Sequence, residues 1–135
     1  MDLNSAMSVA AAGMKVQAVR LRVTAENLAN AESTARTPGG DPFRRKTVSF
    51  ADHRDRATGL ELVEIDRHGV DRSEFPLRHE PGHPGANEQG YVKYPNVNPL
   101  IELSDMREAQ RTYEANLNAL QLARSMIGRT LDLLR

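Results

Sequence analysis

The chain has 135 residues, and its 18 acidic and 18 basic side chains balance, so no net field draws it to nucleic acid or an anionic membrane. Cysteine is absent, which excludes disulfides and thiolate metal sites and fits any compartment. Aromatic residues are 4%, tryptophan is missing and the apolar residues gather at the two ends, which leaves a one-domain chain little material for a conventional central core.

Residues 1–12 lack a basic stretch followed by a long apolar run and do not read as a cleavable signal peptide. No apolar run reaches the roughly eighteen residues a membrane-spanning helix needs. By these rules alone the chain reads as soluble and cytoplasmic.

Residues 4–31 are written as a helix. Met7, Met14, Leu21 and Leu28 recur at every seventh position, Val9, Val16 and Val23 form a second row, and Ala11, Ala18 and Ala25 a third. These rows cover much of the circumference, and charges are few (Lys15, Arg20, Arg22, Glu26), so the helix calls for contacts on more than one side. Small residues at 10–13 permit another helix to approach closely. The helix is expected to end near Asn30, because residues 32–41 (ESTARTPGGD) collect turn formers.

Residues 43–50 (FRRKTVSF) alternate weakly, and residues 60–65 (LELVEI) form a strand candidate bounded by Gly59 and Gly69. Two more candidates, 73–78 and 91–94, flank a glycine and proline cluster. Residues 43–95 therefore read as a small strand-rich insert, thin in apolar residues, whose short strands need several partners or a helix to pack on. Residues 80–99 carry four of the seven prolines and are expected to be extended and loop-like. The chain has no internal repeat and no low-complexity tract.

Residues 100–135 are a second helix. Met106, Tyr113, Leu120, Ile127 and Leu134 fall at every seventh position, with Leu103, Leu117 and Leu131 between them; Gln110 and Arg124 interrupt that second row. Pro99 ends the extended approach, and Ser104 or an earlier residue caps the start. Such a helix reaches about 50 Å, far longer than a small globular domain requires. The expected fold is mainly α with a small β-rich insert: helices at 1–34 and 100–135 packed as a coiled-coil-like hairpin, with strands and loops at 35–99.

His79, Glu80 and His83 match the zinc-peptidase pattern H-E-x-x-H, whose chemistry requires both histidines on one helical face. The intervening Pro81 and Gly82, with Pro84 beyond, deny that helix, and His53 and His68 are too isolated to supply ligands. The basic run Arg44, Arg45 and Lys46 lies between Phe43 and Phe50, a weak likeness of a nucleic-acid surface diluted by Asp41, Asp52 and Asp55; it reads as a solvated or subunit-facing charged strand. Gly39 and Gly40 do not make a phosphate loop, and no nucleophile context supports a catalytic triad. A zinc hydrolase and a nucleic-acid-binding module thus remain only as alternatives, and no cofactor is called for.

An apolar stripe at helical spacing is usually the inside of an intramolecular bundle. Here two helices cannot cover three rows on the first one, and the insert is too poor in apolar residues to cover the rest. Intermolecular helix packing is favoured, with Met7, Met14, Leu21 and Leu28 on the first helix and Met106, Tyr113, Leu117, Leu120, Ile127, Leu131 and Leu134 on the second as the packing residues.

Residues 26–34 (ENLANAEST) and 113–126 (YEANLNALQLARSM) resemble the two signatures of the flagellar axial proteins, the rod and hook subunits. Asn27, Leu28, Ala29 and Asn30 carry the first, and Tyr113, Glu114, Ala115 and Asn116 the second. Residues 39–46 (GGDPFRRK) and 81–99 are similar to the pattern of a proximal-rod subunit. Where Asn-Thr-Thr is more common after the first signature, this chain has Glu32, Ser33 and Thr34. The resemblance covers nearly the whole chain. It implies a non-enzymatic structural subunit of the basal-body proximal rod, with terminal helices in the axial tube that transmits torque and encloses the export channel, and the middle segment outside. It further implies copies of itself, other proximal-rod and distal-rod proteins, the rod-base adaptor and the flagellar type III export apparatus as partners, with neither nucleic acid nor a small-molecule substrate. Its implied place is the rod spanning the periplasm, reached by export without a cleavable signal peptide, which replaces the cytoplasmic reading.

Overall fold

A computed structural model describes the whole chain, Met1–Arg135. Its elements are α1 (Leu3–Ala29), β1 (Lys46–Arg54), β2 (Glu61–Val70), β3 (Leu77–His79), β4 (Tyr91–Lys93) and α2 (Pro99–Leu133). The chain is mainly helical, with two two-stranded sheets between the terminal helices. Neither helix is long and apolar enough to cross a membrane.

The helix ends are set by local polar chemistry. Asp2 caps α1, its Oδ1 accepting the Ser5 N–H at 2.7 Å, and the hydrogen bonds from the Ser5 backbone and side chain hold its carboxyl below the usual carboxylate range. At the other end Asn30 Nδ2 donates to the Glu26 carbonyl at 2.8 Å, and Asn30 Oδ1 accepts the Ser33 hydroxyl at 3.0 Å. The Glu26 carbonyl, which also accepts the Asn30 N–H at 3.1 Å, is thus bonded twice by one residue, and the chain turns out at the expected place. Asn98, an earlier residue than Ser104, caps α2 through a 3.1 Å bond from the Leu100 N–H. Pro99 takes the first helical position, where its missing N–H costs nothing.

The strands differ from expectation in length. β1 runs four residues past Phe50, and β2 continues through Asp66–Val70, so a long hairpin replaces two short strands. The Asp55 N–H donates to the Leu60 carbonyl at one end and the Asp71 N–H to the Arg45 carbonyl at the other, both at 2.8 Å, so the strands run antiparallel. At the tip, Asp55 accepts the Thr58 hydroxyl at 2.6 Å and the Ala57 N–H at 3.1 Å, while Gly59 adopts φ +72°, a left-handed conformation open to glycine. In place of the candidate at 73–78 stands a shorter strand shifted toward the C-terminus, Leu77–His79, which pairs antiparallel with β4 in the register Leu77 with Lys93, Arg78 with Val92 and His79 with Tyr91.

The chain forms two compact units. The first comprises Met1–Leu21, Val48–Arg67 and Arg107–Arg135. Within it Arg20 Nη2 meets Glu108 Oε2 at 3.3 Å, and a methyl group at Gly13 would lie 2.6 Å from Asn116 Nδ2. The partners run in opposite order, so these helix segments are antiparallel and approach closely at Gly13. Ala10, Val16, Ala109 and Ala123 are its buried apolar residues. The second unit comprises Arg22–Thr47 and His68–Met106, with Val23, Val92 and Tyr94 buried beside the polar Thr24, Asn27 and Glu102.

Candidate assembly site

In the second unit the first signature closes a polar clasp. Asn27 is wholly buried; its Nδ2 donates to the Lys46 carbonyl and its Oδ1 accepts the Lys46 N–H, both at 2.8 Å. A side-chain amide thus completes the backbone pairing of the first β1 residue, as a neighbouring strand would. The same Nδ2 stands 3.4 Å from Oε2 of Glu102, also wholly buried. Glu102 is neutralised by Arg45, whose Nε donates to Oε1, while the outer guanidinium nitrogens lie 3.8 Å from Asp71 and from Asp105. Asn96 holds the Arg45 backbone, its Oδ1 accepting the N–H at 2.8 Å, and donates Nδ2 to the Asp71 carbonyl at 2.9 Å. Hydrogen bonds from Ser73, backbone and then side chain, hold the Asp71 carboxyl low, so it stays an anion beside the guanidinium.

The basic run expected as a solvated or subunit-facing strand is therefore engaged within the chain. Arg45 turns inward; Arg44 lies 4.1 Å from the Phe75 ring centroid and donates to the Asp71 carbonyl at 2.9 Å; Lys46 pairs with Glu26 at 2.9 Å. That last pairing lowers the Glu26 carboxyl.

The helix surfaces divide by size. On α2 the buried positions are Glu102, Ala109 and Ala123, in one seven-residue row with the half-buried Asn116. The large residues are left outside it: Met106, Tyr113, Leu117, Leu120 and Ile127 are half-buried, while Leu131 and Leu134 are 57% and 80% exposed. On α1, Met7, Met14, Leu21 and Leu28 are half-buried, and the third row, Ala11, Ala18 and Ala25, is exposed. Gln110 and Arg124 lie in solvent. Of the signature residues, Asn27 closes the clasp, Asn30 caps α1 and Asn116 meets Gly13, while Ala29, Glu114 and Ala115 face outward.

The H-E-x-x-H residues are held apart on a strand end and a turn. The His79 ring packs edge-on against Tyr91 at 4.9 Å; Glu80 accepts the Tyr94 hydroxyl at 3.0 and 2.9 Å; His83 Nδ1 accepts the Gly85 N–H at 2.9 Å with Nε2 3.1 Å from the Thr34 hydroxyl. The carboxylate beside it raises the Tyr94 phenol. No group of three or more metal-ligating side chains occurs.

Asn96 and Glu102 escaped sequence reading, and from sequence Arg45 reads only as part of a solvated or subunit-facing charged strand. Arg45 and Glu102 are 57 positions apart, and the one available signal was the row Glu102, Ala109, Asn116, Ala123, in which a carboxylate takes the place of a small residue.

Residues 88–133 match the family described as flagellar basal body rod FlgEFG protein C-terminal, a span that includes all of α2. Over 133 residues the chain is 49% identical to the flagellar basal-body rod protein FlgC of Agrobacterium fabrum, covering 98% of this chain and 96% of that protein. It is 38% identical to FlgC of Salmonella typhimurium over 98% of each chain, and 34% identical to FlgC of Borreliella burgdorferi over 100% of this chain and 99% of that one. With similarity of this degree over full length, the chain belongs to the FlgC family of flagellar basal-body rod proteins.

Proposed function

We propose that this chain is a structural, non-catalytic subunit of the flagellar basal-body proximal rod. Residues 1–34 and 100–135 polymerise by coiled-coil-like helix packing into the axial tube that transmits torque and encloses the export channel, and residues 35–99 form the outer part. The observation that carries this reading is the reversal of sizes on α2: Glu102, Ala109 and Ala123 are its buried residues, and its large apolar rows, like the methionine and leucine row of α1, are half-covered or bare. Placing those rows against neighbours contributes roughly 1.5 to 3 kcal/mol for a side chain taken from full exposure to full burial, and proportionately less for those already half-covered.

The mechanism couples order to assembly. Helices with partly uncovered faces are only marginally stable in water, so the exported chain is partly unfolded and narrow. At the growing tip, copies of itself and other proximal- and distal-rod proteins cover the rows and complete the helices. The type III export apparatus delivers the chain, the rod-base adaptor meets the first subunits, and the rod spans the periplasm. The test is Leu120→Asp, which abolishes rod assembly and motility, against His79→Ala and His83→Ala, which preserve both; normal swimming of the Leu120 variant overturns the packing account.

A further inference from the structure

In the first unit, α2 outruns α1. With Asn116 against Gly13 and Glu108 against Arg20, Leu3 falls opposite about Met126, and α2 continues to Leu133. Beyond Ala123 only Ile127 is even half-covered. Ile127, Leu131 and Leu134 follow at four- and three-residue spacing and share one face, flanked by Asp132 and Arg135.

The same unit holds a groove of about 460 Å3 between α1 and β2, with Ala12, Val16 and the apolar residues of 62–65 as its apolar lining and the exposed Lys15 and Glu64 on its two walls. We infer that this groove receives the protruding end of α2 from a second copy of the chain. The occupant cannot be the chain's own tail. Ala12–Val16 lie about 14 to 20 Å along α1 from its first residue, and α2 leaves that end heading away, so return would require breaking the helix. The surfaces match in character: an aliphatic stripe meets an aliphatic lining, and Asp132 and Arg135 offer charges opposite to Lys15 and Glu64. Tail and groove are different surfaces, so the contact is head-to-tail, the class of contact from which an open helical array such as a rod is built when the rotation does not close. The inference rests on the rod-subunit reading and adds to it which segment meets which.

The experiment places a photoactivatable benzoylphenylalanine at the exposed position 64 of the full chain and irradiates intact basal bodies. The expected product has twice the mass of the chain, with the cross-link mapping to residues 127–135 of the second copy, and it is lost when the tail carries Leu131→Asp and Leu134→Asp. Rods that contain the chain but give no such product, or that join position 64 to a different rod protein, overturn the docking and leave the rod reading intact. Basal bodies with a complete rod and none of the chain overturn both.

Discussion

Asn27 pairs with Lys46 through both atoms of its side-chain amide, at 2.8 Å each way, so a helical residue supplies the hydrogen bonds that a further strand would supply. The signature asparagine thereby ties the end of α1 to the start of the hairpin.

Replacing Asn27 by Asp keeps the size and removes the donor to the Lys46 carbonyl, and it places a second carboxylate beside Glu102. Leaving that buried group unpaired costs about 1 to 3 kcal/mol. Thermal unfolding followed by amide exchange at Lys46 reads the loss, and unchanged protection there would contradict the pairing.

Arg45→Ala strands the buried Glu102 carboxylate, and breaking such a pair from one side costs about 3 to 5 kcal/mol. The double variant Arg45→Met with Glu102→Leu removes both charges and is expected to be more stable than Arg45→Ala alone. A double-mutant cycle in urea checks the ordering.

Gly13 admits Asn116. In Gly13→Ala the amide end of Asn116 must shift, and this is offset by about 1 kcal/mol of helix propensity; Gly13→Leu forces the helices apart. Rod assembly is expected to survive the first change and fail with the second, as scored by electron microscopy of basal bodies.

Amide exchange of the dilute chain should separate the two units. Slow exchange is expected around Asn27, Lys46, Val92 and Glu102, where buried groups interlock, and fast exchange over α2 beyond Ala123, whose side chains are nearly all exposed. Uniform protection along both helices would count against ordering on assembly.

The Asp55 carboxyl lies below its usual range, first because of the Thr58 hydroxyl and then the Ala57 N–H. A carboxyl depressed in the folded state stabilises the turn above its unfolded value, and that contribution is lost as pH falls through the folded one. An NMR titration should find Asp55 protonating below the ordinary aspartate range, and Thr58→Val should return it upward.

Local pattern revealed the elements that are amphipathic. The ends of both helices and the position of β4 were readable because seven-residue rows and turn formers are written over short spans. The outer half of the hairpin was not. Ala51, Asp52, His53 and Arg54 pair through the backbone while their side chains face solvent, and such residues carry no alternation. The clasp was hidden for another reason: Asn27, Arg45, Asn96 and Glu102 come from four separate stretches, and nothing within one stretch announces its partner in another.

The sequence by itself determined two long helices with more apolar surface than one chain can cover, since periodicity is a property of neighbouring residues. Only the tertiary structure decided which row of α2 turns inward. Close approach at Gly13 brings Asn116 against the chain's own first helix, and Ala109 and Ala123 of the same seven-residue row are buried. The buried Glu102 extends that row to the clasp, where Arg45 neutralises it, and the large aliphatic residues are left half-covered or exposed.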